Sequence, residues 1–434
     1  MTEEQAELPL LAKPRVERVL LVETVSDLRA ACEELSKLDG PFALDAERAS
    51  GFKYSQRAYL IQVHRRNSAI FLIDPIAVAI DQEQNHHTDE RSAIQELGSL
   101  LATDEWILHA ASQDIPCLRE LGIVPTKIFD TELGSRIAGL PRVGLGAVTE
   151  HFLNVKLAKE HSAVDWSVRP LKDDWLNYAA LDVDVLHELR EGVAALLTEQ
   201  GKLSWAEEEF DNVAHMQPKQ TKVDRWRGMS GMHEVREPRA LAIARELWTA
   251  REALAEKLDV SPGRLIPDSS IVGVAANPPK TKPELASSKI FSGRASRSYL
   301  DTWWAALHEG INTRDLPPAK LPHVGIPNHR TWSNRFPDSD RRLKMVRTEL
   351  ASLSESLQIP IENLMSPETV RQVCFEQLEP LTLESIQQKI AEFEPRHWQI
   401  EIVCPAILKG LIDAGAPDAE MPADESVTET TEDA

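Results

Sequence analysis

FALDAE, residues 42–47, is an apolar run interrupted by Asp45 and Glu47, and the rest of the chain is interpreted around it. Its composition predicts a β-strand, and because side chains alternate across a strand, the two carboxylates lie on one face. Charge inside a hydrophobic strand costs several kcal/mol unless a metal ion or a cation pairs it. The spacing therefore predicts two metal ligands; the alternative is a strand that ends at Leu44 and leaves both acids in a turn.

Helix and strand patterns alternate through the first third of the chain. Strands are predicted at 42–47, 58–65, 68–74, 106–110 and 128–131, and helices at 26–38, 93–102 and 113–122. Ser26 can cap the first helix, and the polar stretch 81–92, with His86 and His87, predicts an exposed loop. From residue 130 to 211 the pattern is mostly helical. This mixture favours an α/β or α+β fold with helices flanking a sheet.

Two further segments carry acids that suit the same chemistry. Asp114 lies in LHAASQDIPCL (108–118), and Tyr178 and Asp182 lie in YAALDV (178–183). On a helix, residues four apart share a face, so the phenol of Tyr178 is placed to orient a water beside Asp182. Carboxylates are the hard ligands that Mg²⁺ and Mn²⁺ prefer, and two such ions about 3.5–4 Å apart promote phosphodiester cleavage. Convergence of these carboxylates in space would predict a nuclease.

Several other polar and aromatic residues are predicted to have structural roles. Asp173 and Asp174 fit a helix start, and Asp184 is predicted to lie at the surface. Gln62 is predicted to be a buried, hydrogen-bonded core residue. Trp248, Trp303 and Trp304 are predicted to be core residues of amphipathic helices.

Charge is divided unevenly along a chain whose net charge is −21. Residues 1–213 carry −16, residues 214–347 carry +9 and residues 348–434 carry −14. The basic middle is the most plausible place for phosphate contacts, with a solvated helical surface as the alternative.

Cysteine usage and hydropathy indicate a cytoplasmic protein. Cys32, Cys117, Cys374 and Cys404 are scattered without a CxxC pair, which predicts free buried thiols in a reducing compartment. No apolar run is long enough to cross a bilayer, and the acidic N-terminus argues against a signal peptide.

The order D-x-E, then Asp within LHAASQD, then Y-x-x-x-D resembles the DEDD superfamily of 3′→5′ exonucleases in its tyrosine-bearing branch. The stretch KEHSAVDWSVRPLKDDWLNYAALDVDVL (159–186) is more specific and is similar to ribonuclease D. This resemblance covers roughly residues 20–205. The helical segments that follow resemble two helicase-and-RNase-D C-terminal (HRDC) domains, the first more clearly than the second.

The resemblance implies an α/β RNase H-like exonuclease domain, with a mixed sheet flanked by helices, followed by two all-α HRDC-like domains. It also implies two divalent ions, Mg²⁺ or Mn²⁺, held by Asp45, Glu47, Asp114 and Asp182. Asp45 would bridge both ions, Glu47 and Asp182 would complete the site of the ion with the nucleophilic water, and Asp114 would serve the second ion. Tyr178 would orient the attacking water.

The chain departs from the family pattern at two places. Ala110 stands where the family often has Asn in LHNAxxD, so a polar substrate contact is missing there. Arg48 stands where the family commonly has an aromatic residue, so no stacking role is assigned to it. Lys53, Arg57, Arg65 and Arg66 are further cations that could meet phosphates. Trp166 and Arg169 are interpreted as structural, with Arg169 pairing an acid such as Asp165.

The predicted organisation has seven parts: an N-terminal extension (1–20), an exonuclease domain (21–213), a linker (214–236), a first HRDC domain (237–312), a Pro-rich linker (313–336), a second HRDC-like domain (337–413) and an acidic, disordered tail (414–434). The predicted function is metal-dependent, hydrolytic 3′→5′ trimming of structured RNA such as tRNA precursors, by a monomer that releases nucleoside 5′-monophosphates. The alternatives are a single-stranded DNA 3′→5′ exonuclease and a non-catalytic RNA-binding scaffold.

Overall fold

The protein is described by a computed structural model that covers residues 8–85, 92–158, 164–217, 223–291, 293–321 and 325–415. The chain divides into two compact units, Met1–His323 and Val324–Ala434. The predictions for His86 and His87, and for the tail from residue 416 onward, concern residues outside these ranges. No helix in the described ranges has both the length and the apolar character needed to cross a membrane.

The strands of the described chain all lie before residue 158. They are β1 Leu10–Leu11, β2 Val19–Val22, β3 Phe42–Arg48, β4 Ala58–Arg65, β5 Ile70–Ile73, β6 Trp106–Leu108, β7 Ile128–Asp130 and β8 Lys156–Leu157. Strands β2 to β7 form a six-stranded sheet in the order β2-β5-β4-β3-β6-β7, and β1 pairs with β8. In the larger sheet β4 runs antiparallel to both β3 and β5, while the other pairs are parallel. The predicted mixed sheet is therefore confirmed.

Strand β3 is the part of the sheet that positions the acids. It pairs along its full length with β4, whose eight residues are all buried. On its other side it pairs with β6 only at Phe42 and Ala43. The β6 side of β3 is therefore free of strand pairing at Asp45 and Glu47, which leaves room beside them for the chain that follows β6.

Helices surround this sheet and then continue without strands. In the first unit they are α1 Val25–Ser36, α2 Pro75–Gln84, α3 Ala93–Leu101, α4 Ile115–Glu120, α5 Thr131–Ile137, α6 Leu145–Leu153, α7 Asp173–Asp184, α8 Leu186–Glu199, α9 Leu203–Ala214, α10 Pro238–Leu258, α11 Pro262–Leu265, α12 Asp268–Ala276, α13 Lys282–Ser287, α14 Arg294–Ser298 and α15 Leu300–Asn312. Short 3₁₀ turns occupy Ala111–Gln113, Arg225–Gly228, Met232–Glu234 and Lys289–Phe291.

Helix α7 packs across the centre of the sheet, against β3, β4 and β5. Ala179, Ala180 and Val183 are buried on its sheet-facing side, and their small size lets the helix lie close to the strands. Trp166 and Trp175 belong to the same core, with ring centroids 5.6 Å apart in an edge-to-face arrangement. The structural interpretation of Trp166 is therefore confirmed.

The later helices of the first unit form a second core. Trp226 and Trp303 are buried in it, and Trp248 and Trp304 pack against it while partly exposed. Helices α10 and α15 cross closely at Gly310, where an added Cβ would lie 2.5 Å from the Ile243 Cα. The predicted core role is confirmed for Trp303, whereas Trp248 and Trp304 lie at the edge of this core.

The second unit is helical throughout its described part. It contains a 3₁₀ turn at His329–Thr331 and the helices α16 Trp332–Arg335, α17 Pro337–Leu357, α18 Ile361–Leu364, α19 Pro367–Phe375, α20 Leu383–Ala391 and α21 His397–Gly415. Helices α17 and α21 cross closely at Gly410, where an added Cβ would lie 2.7 Å from the Val346 Cα. This repeats the arrangement of α10, α15 and Gly310.

The two helical segments share an order of elements that repeats at a constant spacing. The 21-residue helix α10 ends at Leu258 and the 21-residue helix α17 ends at Leu357. Each is followed by a cap in the left-handed region, a four-residue helix and a nine-residue helix. This supports the interpretation of two diverged copies of one module.

Several local predictions need correction. Helix α1 is capped by Thr24, not Ser26, because the Thr24 hydroxyl accepts from the Asp27 N–H. Residues 81–84, predicted as loop, continue helix α2, and Asp81 accepts a hydrogen bond from the Asn85 amide. Cys32 is half-buried, whereas Cys117, Cys374 and Cys404 are buried and free as predicted. Strand β2 was not predicted, since its four apolar residues carry no alternation.

Candidate metal centre

Asp45 and Glu47 project from one face of β3, as the two-residue spacing requires. Gln62 is the direct partner of Asp45 in the β3–β4 pairing, and its Nε2 donates to Asp45 Oδ2 over 3.4 Å. Gln62 is fully buried, so the predicted core role is confirmed, but its contact with Asp45 was missed. The pairing register explains this contact.

Asp114 reaches the site from the turn that follows β6. Ala110 adopts a left-handed backbone conformation with φ of 64°, and the 3₁₀ turn Ala111–Gln113 then delivers Asp114 to the side of β3 left open by β6. Asp130 holds this turn, because its carboxylate accepts from the N–H groups of Ala110 at 3.0 Å and Ala111 at 2.9 Å. Burial raises the pKa of Asp130 to about 6. Its positioning role was not predicted.

His109 supports the same turn. Its Nδ1 lies 2.9 Å from the Thr131 hydroxyl, and burial lowers the pKa of the imidazole to about 4. The ring is therefore neutral at pH 7 and contributes no positive charge to the centre.

Tyr178 and Asp182 lie one turn apart on helix α7 and face the same pocket as the β3 acids. The Tyr178 hydroxyl and the Asp182 carboxylate line this pocket together and interact electrostatically. Burial, followed by repulsion from Asp182, Glu47 and Asp45, raises the pKa of the phenol far above its usual value. Tyr178 therefore stays protonated and acts as a donor at neutral pH. Asp173 and Asp174 lie in the first turn of α7, as predicted.

The structure brings all five predicted site residues into one open pocket, lined by Asp45, Glu47, Asp114, Tyr178 and Asp182. One carboxylate oxygen from each of Asp45, Glu47 and Asp182 lies within 4.8 Å of the others. Asp114 lines the same pocket, and after burial the negative charge of Asp45 raises the pKa of its carboxyl.

Electrostatics make this group unfavourable as it stands. Burial raises the pKa of Glu47 well above its usual value, and the charges of Asp45, Asp182 and Asp114 raise it further. The pKa values of Asp114 and Asp182 are also well above the usual range, because of burial and then the charge of Asp45. Buried carboxylates that repel each other are stabilised by bound cations.

The donor set fits divalent ions of the hard class. Every ligand candidate in the group is a carboxylate, and the group holds neither a thiolate nor an imidazole within the described residues. All-oxygen sites suit Mg²⁺ and Mn²⁺ better than zinc or copper.

Three family models match successive segments of the chain. Residues 19–197 match the family model described as 3′-5′ exonuclease, and residues 240–307 match the HRDC domain model. Residues 325–411 match the model described as 3′ to 5′ exonuclease C-terminal domain. Ribonuclease D of Acidiphilium cryptum is 29% identical over 322 residues, which cover 72% of this chain and 76% of the relative. Ribonuclease D of Granulibacter bethesdensis is 28% identical over 365 residues, 82% of this chain and 86% of the relative.

The chain is a ribonuclease D homologue and a 3′-5′ exonuclease.

Two solved structures have the same fold as this ribonuclease D homologue. A protein from Bifidobacterium adolescentis has a TM-score of 0.84 and 35% identity, and the match covers 94% of this chain and 100% of that chain. Escherichia coli RNase D, described as an exoribonuclease involved in structured RNA processing, has a TM-score of 0.64 and 23% identity. That match covers 91% of this chain and 99% of the E. coli chain.

The exonuclease family uses divalent metal ions, and the acidic cluster of Asp45, Glu47 and Asp182 is where this ribonuclease D homologue can hold them. Asp114 lines the same pocket and interacts electrostatically with Asp45.

Two neighbours of the centre in the ribonuclease D homologue correct the sequence analysis. Asp184, predicted to lie at the surface, is buried, and Arg15 donates to it through Nε at 2.8 Å. Arg169 does pair an acid, but the acid is Asp74, not Asp165. Arg169 Nη2 also donates to the Tyr59 carbonyl over 2.8 Å, so the loop before α7 is tied to strand β4. Its structural interpretation is confirmed.

Proposed function

We propose that the protein is a hydrolytic exoribonuclease that shortens structured RNA, such as tRNA precursors, from the 3′ end with two divalent ions. The observation that carries this proposal is the convergence of four carboxylates and Tyr178, from three distant segments, in one open pocket. The ribonuclease D relatives carry an RNA substrate in their name, which supports RNA over DNA. We further propose that it acts as a monomer in the cytoplasm, which the free thiols support.

In this mechanism the carboxylates of Asp45, Glu47, Asp114 and Asp182 would hold Mg²⁺ or Mn²⁺. We propose that Asp45, which neighbours both Asp114 and the Glu47–Asp182 pair, serves both ions. When bound, such ions polarise a phosphoryl oxygen, supply an activated water and stabilise the leaving oxygen.

The protein residues supply orientation. The water oxygen attacks phosphorus, the bond to the 3′-oxygen of the preceding nucleotide breaks, and a nucleoside 5′-monophosphate leaves a chain with a new 3′-hydroxyl. Tyr178 is protonated and lines the same pocket as Asp182, so its hydroxyl would position the attacking water beside that carboxylate. Gln62 restrains Asp45 by its hydrogen bond, which keeps that carboxylate in one orientation.

The test compares Asp45→Asn and Asp182→Asn with Asp173→Asn in trimming of a 5′-labelled RNA with a free 3′ end. Asp173 is an exposed acid on the same helix as Asp182, so it controls for the loss of one negative charge. We expect the first two variants to lose at least about 10²-fold in rate with Mg²⁺ or Mn²⁺, and the control to keep wild-type activity. Undiminished trimming by Asp45→Asn would contradict the mechanism.

Substrate class is tested in the same assay by mixing RNA and DNA of one sequence. Preferential shortening of the RNA supports an exoribonuclease. Equal or faster shortening of the DNA assigns the centre to single-stranded DNA instead. Binding of RNA without any cleavage, with each divalent ion tried, would indicate a non-catalytic scaffold.

A further inference from the structure

Arg48 is a cation inside the acidic pocket. It follows Glu47 at the end of β3, and it lines the same pocket as Asp45 and Asp114 while remaining half-buried. The β3–β4 register shifts between Glu47 and Arg48, so Arg48 pairs with Ala58 and Tyr59 is skipped. Such irregularities change the local twist and redirect side chains. Strict alternation would have sent Arg48 to the opposite face of the sheet from Glu47.

The guanidinium of Arg48 has no hydrogen bond and no ion pair within 4 Å among the parts of the chain that the structure describes. Other cations near the β3–β4 hairpin are different. Lys53 and Arg57 both pair with Asp259, at 3.9 and 3.4 Å. Arg66 pairs with Glu191 at 2.7 Å.

Arg65 is also committed to protein partners. It is buried, pairs with Asp104 at 2.9 Å and donates to two backbone carbonyls. The four cations that the sequence suggested for phosphate contact therefore have hydrogen-bonded or ion-paired partners, whereas the guanidinium of Arg48 has neither within the described chain. A half-buried guanidinium that faces an open pocket keeps its N–H donors available to a ligand that enters the pocket.

The position of Arg48 also suits an anion that enters the pocket. Its charge lowers the pKa values of Asp45, Glu47 and Asp114, against the larger effect of burial. Divalent ions would neutralise these carboxylates, and the strand that reaches them brings one negative charge per nucleotide. A planar guanidinium with five N–H donors is the side chain best matched to a phosphate.

We propose that Arg48 contacts a backbone phosphate of the bound RNA strand next to the metal centre. This inference rests on the proposed function, because it requires a nucleic-acid strand in the pocket. Where the family commonly has an aromatic residue at this position, this chain would make a charged contact. RNA binding would then be more sensitive to salt concentration than with an aromatic contact.

Three substitutions separate charge from shape. Arg48→Lys keeps the charge, Arg48→Phe keeps a flat side chain and removes the charge, and Arg48→Gln removes charge and keeps polarity. Arg66→Gln is the matched control, because it removes one arginine charge from an exposed ion pair outside the pocket. Binding of a 5′-fluorescein-labelled single-stranded RNA is measured by anisotropy with Ca²⁺, after gel analysis has shown that the RNA stays intact. Trimming with Mg²⁺ is measured in parallel as KM and kcat.

We expect Arg48→Gln and Arg48→Phe to raise the dissociation constant about tenfold or more, and Arg48→Lys to raise it much less. A plot of the logarithm of the association constant against the logarithm of the salt concentration has a negative slope. In Arg48→Gln this slope should become shallower by about 0.7, because one phosphate contact with the single strand is lost. Arg66→Gln should bind as wild type. Arg48→Lys keeps the test decisive if the neutral variants unfold, since it retains a cation in the pocket; tenfold weaker binding by folded Arg48→Lys would contradict a charge contact.

Other results would overturn the inference. Affinity and salt slope of Arg48→Gln equal to those of wild type would show that Arg48 only balances the carboxylates. If Arg48→Phe still binds the RNA and Arg48→Lys does not, the side chain at position 48 stacks on a base. A wild-type protein that neither binds nor shortens the RNA would contradict the proposed function itself, whereas normal wild-type behaviour with unchanged variants contradicts only the Arg48 contact.

Discussion

At the scale of single residues, the acids of the centre oppose the stability of the fold that holds them. Burial and mutual repulsion raise the pKa values of Glu47, Asp114 and Asp182 above those of unfolded carboxylates. The folded protein therefore holds these protons more tightly than the unfolded chain does. The contribution of the acids to the free energy of unfolding must then fall as pH rises from about 4 through the raised values.

The first prediction follows from this sign. Asp45→Asn removes one of the repelling charges, so in EDTA at pH 7 its melting temperature should lie a few degrees above that of wild type. One kcal/mol corresponds to roughly 2–4 °C in domains of 150–250 residues. The gap should narrow at pH 5, where the wild-type acids take up protons. Thermal unfolding at both pH values checks this.

Added Mg²⁺ or Mn²⁺ should raise the melting temperature of wild type and have much less effect on Asp45→Asn. Asp173→Asn is the control and should respond to metal as wild type does. Equal metal responses of Asp45→Asn and wild type would contradict the assignment of Asp45 as a ligand.

The second prediction concerns the backbone of Ala110. With φ of 64°, Ala110 lies in the left-handed region, where an alanine costs about 1 kcal/mol and Asn is tolerated better. Ala110→Asn should therefore raise the free energy of unfolding by about 0.5–1 kcal/mol. Urea unfolding measures it, and Ala111→Asn, at a neighbouring position with helical geometry and full burial, should destabilise instead.

At the scale of elements, the N-terminal segment is bound to the end of helix α7. Arg15 binds Asp184 through Nε at 2.8 Å and the Asp184 carbonyl through Nη2 at 2.7 Å, and the Val16 N–H donates to the same carboxylate. Asp184 lies two residues after Asp182, so the segment before β2 stabilises the part of α7 that carries a predicted metal ligand.

The third prediction tests this attachment. Arg15→Ala leaves the buried Asp184 carboxylate with backbone donors only, and it should lower the free energy of unfolding by about 1–3 kcal/mol. Asp184→Asn combined with Arg15→Ala should cost less than the sum of the single changes, because the two groups interact directly. Additive effects in this double-mutant cycle would show that the pair is not coupled.

A second fastening joins the loop after β3 to the first helical module. Asp259, the left-handed cap of α10, accepts from the Ser55 N–H at 2.9 Å and from the Tyr59 hydroxyl at 3.2 Å. Arg264 donates to the Gly51 carbonyl and stacks over the Phe52 ring. The loop that begins just after Arg48 is thus held by residues about 200 positions further along the chain.

The fourth prediction is that Asp259→Ala frees this loop. Loss of the carboxylate should cost about 1–3 kcal/mol and speed cleavage by trypsin at Lys53 or Arg57. Asp259→Asn is the matched variant, since Asn also accepts hydrogen bonds and tolerates the left-handed conformation, and it should behave between wild type and Asp259→Ala. Unchanged proteolysis in Asp259→Ala would mean that the remaining contacts hold the loop alone.

At the scale of the whole molecule, the two helical modules share an architecture but differ at this cap. Gln358 occupies the left-handed position after α17 that Asp259 occupies after α10. A neutral amide lacks the charge that draws Arg57 and Lys53 to Asp259. The second module therefore lacks the carboxylate by which the first module holds the exonuclease loop.

The fifth prediction follows from the division of the chain. Residues 1–323 form one compact unit that contains the acidic centre, Asp259 and the loop it holds. A fragment ending at residue 323 should fold cooperatively and shorten small single-stranded RNA at a rate within about threefold of the full chain, since no group of the centre is removed. Loss of activity in a folded fragment would show that the second unit contributes to the centre.

Local signals in the sequence were sufficient for strands β3 and β4 and for the helix that carries Tyr178 and Asp182, but not for strand β2 or helix α2. The strands over 42–48 and 58–65 follow from runs of apolar residues, and the placement of Tyr178 and Asp182 on one face follows from helical spacing. These features depend on neighbours within one or two turns of chain. The order of the acids along the chain also sufficed to indicate the exonuclease family before any geometry was available.

Tertiary structure alone decided how these pieces meet. The Arg15–Asp184 bond joins residues 169 positions apart and the Ser55–Asp259 bond joins residues 204 apart, and no local periodicity encodes such pairings. The same holds for the burial of Asp184, for the pairing of Arg169 with Asp74, and for the placement of Arg48 in the acidic pocket. Each depends on the free energy of packing distant surfaces together, whereas residue spacing reports only which side of its own helix or strand a side chain occupies.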